Sequence, residues 1–447
     1  MSPNIPPLLR TRALLASAAS LSLLVLVACG GGGGGATPAV VPAPPAVTPA
    51  APVPPPVPPV VTPVPPVVTP VPPVVTPTPP VEGATIVVTR ADLGQMIFND
   101  TNLSEPHGTA CVNCHQAKQG FSSTNGSSTG VALGSLPGSL GLRKPLNNSY
   151  AGFVPPFAFI FNENNEFVAS GGLFWDGRAD TPALQALGPF LNPLEMNNAS
   201  RKAVVDKIAA ASYASLFKQE FGAGIFNDTD AAYIQIGVAI DTFERSKLQP
   251  FTSKFDAVLR GQATFTVSEW RGSAMFQYES KGNCSTCHFI DPLSDRPEDS
   301  LFTDFSYRTT GVPRNPLIPR NFDPNFFDLG LCGPERAPPA LPAFAPAGVT
   351  IDDFCGKFRV PTLRNVAERP AFMHNGFFKD LREVVKFYSG RNVGTVSDDL
   401  PAKYQRNIER TIAPFNRAAH TGPAMSDSEI DDVVAFLRTL SDGYTPP

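Results

Sequence analysis

Two short stretches, Cys111-Val-Asn-Cys114-His115 and Cys284-Ser-Thr-Cys287-His288, constrain this chain more than any other feature. Both spell C-x-x-C-H, the attachment pattern of a c-type haem. Two thiols three residues apart can each add to one vinyl group of a porphyrin. The histidine that follows then places its imidazole under the iron as proximal ligand. A redox C-x-x-C needs no following histidine, and a zinc site needs ligands at other spacings. Two copies in one chain assign two covalent haems, one on Cys111, Cys114 and His115, the other on Cys284, Cys287 and His288.

The flanks of the two motifs also match. Gly94-Gln-Met-Ile-Phe98 precedes the first and Gly272-Ser-Ala-Met-Phe276 the second, which reads as an internal duplication of a cytochrome c-like unit. A glycine on such a helix would let another helix approach closely. Residues 91–98 read as a short helix with Leu93 and Ile97 at i, i+4. Residues 202–221 and 230–251 read as structural helices, and Trp270 as a core residue on the helix before the second haem. Asp380 and Glu383 form a capping-box pattern ahead of a stripe of Leu381, Val384, Val385 and Tyr388. Ser426 and Glu429 do the same for Ile430, Val433, Val434 and Leu437, a helix expected to pack on the haem-binding unit. The expected fold is mainly α: two cytochrome c-like haem domains related by internal duplication, over 86–255 and 256–447, with long irregular loops.

Arg10 and Arg12 precede an apolar run over 13–27, too short and wrongly flanked for a stable membrane span, so 1–28 reads as a signal peptide. It ends Leu26-Val27-Ala28-Cys29, which resembles the bacterial lipoprotein box. That resemblance implies a lipid on Cys29, and Gly30 in place of aspartate implies the outer membrane. An ordinary secretory signal with a chance cysteine is the competing reading. Residues 29–85 are a glycine run and then repeats of Val-Val-Thr-Pro-Val-Pro-Pro, which cannot form a core and read as a polyproline II spacer. At ~3.1 Å per residue it would reach on the order of 140 Å; an SH3-type ligand is the alternative. With 35 basic against 39 acidic residues and no basic run, no nucleic-acid partner is expected, and membrane contact only through the lipid anchor. Seven cysteines less Cys29 and the four haem thiols leave Cys332 and Cys355. In an oxidising compartment these are expected to form a disulfide, worth roughly 3 kcal/mol on the chain-entropy model.

Four further stretches carry a resemblance. They are Gly172-Leu-Phe-Trp175-Asp-Gly-Arg178-Ala, Leu194-Glu195-Met196-Asn197, Phe358-Arg-Val-Pro-Thr-Leu-Arg364-Asn-Val and Met373-His374-Asn375-Gly376. In sequence and in order they resemble the bacterial di-haem cytochrome c peroxidase and MauG family, over roughly 91–440. The resemblance implies that Trp175 lies between the haems and passes electrons. It implies that Glu195, twenty residues further on, sits over the peroxide-reactive haem as acid–base catalyst. Breaking a peroxide O–O bond heterolytically needs a proton moved from the near oxygen to the leaving one, and a carboxylate within reach of both can move it. Gln185 and Pro189 match positions lining the same pocket, and His374 and Arg364 match positions around the second haem. The family holds a calcium ion between the haems. Asn147 or Asn148 could supply its side-chain ligand, and Arg369 and Ala371 occupy the carbonyl positions, so the sequence permits calcium without demanding it.

One departure is informative. Conventional peroxidases of the family carry a histidine about twenty residues after the first C-x-x-C-H, capping the reactive iron. Here no histidine lies between His115 and His288; the others are His107, His374 and His420. His107 is too close to the proximal side to reach round. An open sixth position is therefore expected at the first haem, as in MauG. Fourteen residues after His374, where conventional members carry methionine and MauG-type members tyrosine, stands Tyr388. The resemblance implies that Tyr388 is the sixth ligand of the second haem, with Met373 and Met425 as fallbacks. The expected protein is a periplasm-facing peroxidase taking hydrogen peroxide at the first haem, with electrons passing the second from a small cytochrome c or cupredoxin. Two alternatives are oxidation of a residue on a partner protein and a non-catalytic, membrane-tethered electron relay. Glu195 over an open iron speaks against the relay.

Overall fold

Thr89 opens the first helix with a reciprocal cap. Its hydroxyl accepts from the Asp92 amide (3.2 Å), and the Asp92 carboxylate accepts from the Thr89 amide (3.0 Å). In this computed structural model, residues 89–446 are described, apart from Gln249. The proposed signal peptide, Cys29 and the proline-rich spacer lie outside the described residues.

The helices are α1 (Arg90–Asn99), α2 (Cys111–Cys114), α3 (Pro182–Leu191), α4 (Arg201–Ala210), α5 (Ala214–Phe221), α6 (Thr229–Lys247), α7 (Lys254–Leu259), α8 (Val267–Gln277), α9 (Leu381–Gly390) and α10 (Asp427–Arg438). Two small antiparallel pairs join β1 (Ala158–Phe161) to β2 (Phe167–Ser170) and β3 (Tyr307–Arg308) to β4 (Phe358–Arg359). The fold is mainly helical, with long irregular loops between. The described residues belong to a single compact unit, and none of their helices is long and apolar enough to cross a membrane.

The duplication is visible in the packing. A side chain at Gly94 would collide with the Ala239 backbone, so α1 crosses α6 in direct contact. A side chain at Gly272 would collide with the Asp432 backbone and Phe436, so α8 crosses α10 the same way. In each pair the glycine helix runs into a C-x-x-C-H turn. Leu93, Ile97, Phe190, Ile236 and Ile240 close the first core, and Phe276, Phe302, Val433, Phe436 and Leu440 the second. Each such side chain contributes about 1.5–3 kcal/mol when fully buried. The polypeptide is thereby fixed on both sides of each motif.

Several local expectations need correction. The segment 202–221 is two helices, because Ala211 is extended and Tyr213 turns inward to donate its hydroxyl to Asp100 (2.6 Å). Helix α6 stops at Lys247, ahead of Pro250, which lacks the amide a continuing helix needs. Asp380 caps α9, but Glu383 turns toward Lys386 (3.9 Å) rather than back to the cap. Trp270 is not core. It is 60 % exposed, because α8 turns Gly272, Ser273 and Phe276 inward and position 270 lies about 200° round the helix from Gly272.

Candidate active site

Each C-x-x-C-H motif folds as a single tight turn, with the histidine amide on the carbonyl of the first cysteine (2.9 Å at His115, 2.8 Å at His288). The His115 Nδ1 lies 2.9 Å from the Phe121 carbonyl and the His288 Nδ1 2.9 Å from the Phe302 carbonyl. A carbonyl at Nδ1 fixes the tautomer and leaves Nε2 free as a ligand atom. Burial lowers both imidazoles, His288 to about 4, so both are neutral as ligation requires. Burial also pushes all four motif thiols up to about 12, which disfavours the thiolate that a redox pair would use.

Each motif opens into its own cavity, of about 1590 Å³ for the first and about 1460 Å³ for the second, open mouths included. A pair of thiols, an oriented neutral imidazole and a mostly apolar cavity beside them fit a covalently attached haem in each place.

The structure brings Gln185, Pro189, Glu195 and Trp175 together on the cavity of Cys111, Cys114 and His115. Gln185 and Pro189 stand four apart on α3 and so share a face. After α3 the chain doubles back, with the Met196 amide on the Pro189 carbonyl (3.1 Å) and the Asn198 amide on the Phe190 carbonyl (2.9 Å). Asn197 takes the left-handed conformation (φ 56°) that this reversal needs. Glu195 is thus carried back onto the cavity wall. Burial pushes its carboxyl up to about 7, with Arg178 and Asn192 opposing and Glu335 adding to the rise. His115 is the one histidine lining this cavity among the described residues; His107 and His420 are exposed.

Trp175 lines both cavities, together with Lys144, Pro145, Leu146, Arg359, Pro361 and Arg369. Its indole N–H donates to the Lys144 carbonyl (2.7 Å), its own carbonyl accepts from the Arg359 amide (2.9 Å), and its ring meets His374 edge-on at 6.4 Å. The rest of the Trp-Asp-Gly-Arg turn is a clamp. Asp176 is fully buried between Arg143 (2.7 Å) and Arg178 (2.9 Å), and Arg143 also holds Asp328 (2.6 Å). Gly177 has φ 70°, and any side chain there would run into the Tyr307 hydroxyl. Sequence reasoning missed Arg143, Asp328 and Glu335. No local pattern marks them, since their partners are far away in the chain.

Cys332 and Cys355 form a disulfide across 23 residues. Within the loop it closes, Glu335 lines the first cavity. Glu335 pairs with Arg178 (3.3 Å), and Arg336 donates to the Asp176 carbonyl (2.6 Å). The loop buttresses the turn that carries Trp175. Cys332→Ser is expected to cost roughly 3 kcal/mol of stability on the loop-entropy scale. Guanidinium unfolding of the oxidised proteins checks this, and an unchanged midpoint would contradict it.

The second cavity is lined by Tyr388, Met373, Met425 and His374 beside Cys284, Cys287 and His288. The Tyr388 hydroxyl lies 3.8 Å from the Met373 sulfur, so two of the three sixth-ligand candidates meet at one place. Burial pushes the Tyr388 hydroxyl up to about 12. Met373 sits at φ 70°, a strained conformation for a non-glycine residue and one that clusters at functional sites. His374 stacks on Phe358 (3.7 Å between ring centres). Arg364 is a correction: it lines neither cavity. It is fully buried in an ion pair with Asp256 (2.6 Å) among the rings of Tyr150, Phe251, Phe255 and Phe302. Its role is to hold the second core.

The two asparagines at the expected calcium position differ. The Asn147 side-chain oxygen already accepts from the Ser149 amide (2.8 Å) and hydroxyl (2.7 Å), and its amide donates to the Arg364 carbonyl (3.1 Å). The Asn148 amide donates to Glu244 (2.7 Å), while its side-chain oxygen is buried without a partner. Asn148 is therefore the asparagine whose oxygen could meet a calcium ion.

Comparison with known proteins places these features. The family described as di-haem cytochrome c peroxidase matches residues 88–264. The methylamine utilization protein MauG of Paracoccus denitrificans is 32 % identical over 368 residues, 80 % of this chain and 89 % of the relative. The cytochrome c peroxidase Ccp of Escherichia coli is 27 % identical over 362 residues, 79 % of this chain and 58 % of the relative. Among solved structures, the di-haem peroxidase BthA of Burkholderia thailandensis superposes with a TM-score of 0.71 at 38 % identity, covering 79 % of this chain and 86 % of that one.

Proposed function

This chain belongs to the di-haem cytochrome c peroxidase and MauG family, and from that premise we propose that it works as the MauG-like branch does, with its first haem open to hydrogen peroxide without prior reduction. It is a di-haem c-type oxidoreductase of the peroxidase family. When bound, the haems supply the redox chemistry of peroxide cleavage and electron storage. The protein's own residues supply the rest. Glu195 accepts the proton of the near peroxide oxygen and delivers it to the leaving one, a task suited to a carboxyl poised near pH 7. Gln185 and Pro189 shape the space in which peroxide sits. Trp175 conducts electrons across the wall common to both cavities. Tyr388 would hold the iron of the second haem, with Met373 beside its hydroxyl.

The observation that carries this reading is the composition of the first cavity: a proton-moving carboxylate and, among the described residues, one histidine, the proximal one. The electron source we propose is a small cytochrome c or cupredoxin, with the body of the enzyme in the periplasm on a lipid anchor at Cys29 and the proline-rich spacer giving it reach. A second reading, oxidation of a residue on a partner protein, is favoured by the 32 % identity to MauG. Peroxide-dependent oxidation of a reduced cytochrome c or cupredoxin over many turnovers supports the first. No sustained donor oxidation, with peroxide-dependent oxidation of a tyrosine or tryptophan on a co-purifying protein, replaces it with the second.

A further inference from the structure

The wall between the cavities holds two cations with no carboxylate against them. Lys144 is 4 % exposed, and its ammonium donates to the carbonyls of Ser122 (3.1 Å) and Pro145 (3.4 Å) and to the Ser122 hydroxyl, all neutral. Arg369 donates from Nη2 to the carbonyls of Thr362 (2.9 Å) and Arg364 (2.6 Å), and its Nε is buried with no partner. No ion pair forms at either residue among the described residues. By contrast, Arg143 nearby is matched by both Asp176 and Asp328. Burial lowers both cations, and Arg369 adds repulsion at Lys144.

An unpaired buried ion costs several kcal/mol, and two of them side by side cost more. Such a pair persists when an anion outside the protein's own side chains answers it. A haem brings two carboxylates on its rim. Lys144 and Arg369 each line both cavities. We propose that Lys144 and Arg369 are the counter-charges of the haem carboxylates on the wall that the two cavities share.

Spectroelectrochemical titration of the full-length holoprotein tests this with a readout separate from turnover. Removing a cation leaves the carboxylates unopposed and favours the ferric state. Arg369→Met and Lys144→Met should therefore each move at least one haem to a more negative midpoint. Arg369→Lys should stay near the parent. Midpoints that do not move in Arg369→Met with both haems attached would overturn the proposal. Should Arg369→Met fail to accumulate, Lys144→Met decides, and unmoved midpoints overturn it equally.

Discussion

Glu195→Gln is expected to slow the reaction with hydrogen peroxide by about 10²–10⁴-fold, the usual worth of a positioned general acid–base group, while leaving the resting absorption spectra of both haems intact. The carboxamide keeps the size and the hydrogen-bonding shape of the side chain but cannot take up a proton. The pH dependence gives a second, independent signature. Burial holds the Glu195 carboxyl at about 7, so below that pH it carries a proton and cannot accept another. The parent rate should therefore rise with pH through about 7, and Glu195→Gln should be flat over the same interval. Stopped-flow mixing with peroxide across pH 5–9 reads both. A mutant that reacts at the parent rate, or that keeps the acid limb, removes Glu195 from proton transfer.

The second large effect is expected at Tyr388. A phenolate is a hard, anionic ligand that holds haem iron in its oxidised form, whereas a thioether favours the reduced form. Tyr388→Phe removes the phenolate and leaves the Met373 sulfur, now 3.8 Å from the lost hydroxyl, as the nearest substitute. The low-spin electron paramagnetic resonance signal should change, and the midpoint of the second haem should rise within the roughly 0.8 V range that axial ligands span. The first haem should keep its spectrum. An unchanged low-spin signal in Tyr388→Phe would exclude the tyrosine and leave Met373 or Met425 as ligand.

The haem attachment sites were legible because C-x-x-C-H is a local pattern whose chemistry is contained in five residues. Gly94 and Gly272 were legible for a related reason, since a glycine at the same place before each motif marks a close helix crossing, and both crossings are found. Glu195, Gln185, Pro189 and Trp175 became legible only through family resemblance. Alone, each is an ordinary residue, and it takes the reversal after α3 to bring Glu195 over the cavity. The supports of Trp175 could not be read at all. Arg143 meets Asp328 across 185 positions and Arg178 meets Glu335 across 157, distances at which local periodicity carries no information. Arg364 shows the opposite failure: its motif placed it by the second haem, but its side chain turns away into a pair with Asp256. Trp270 shows that a large apolar residue on a core helix need not face the core.

The central claim is that the first haem is open to peroxide while the second is closed by Tyr388. Electron paramagnetic resonance of the as-isolated diferric protein, followed by mixing with hydrogen peroxide before any reductant is added, tests it most directly. One high-spin and one low-spin haem in equal amounts are expected, with an immediate spectral reaction with peroxide. A protein that is wholly low-spin and inert until half-reduced would contradict it and restore the conventional peroxidase mechanism.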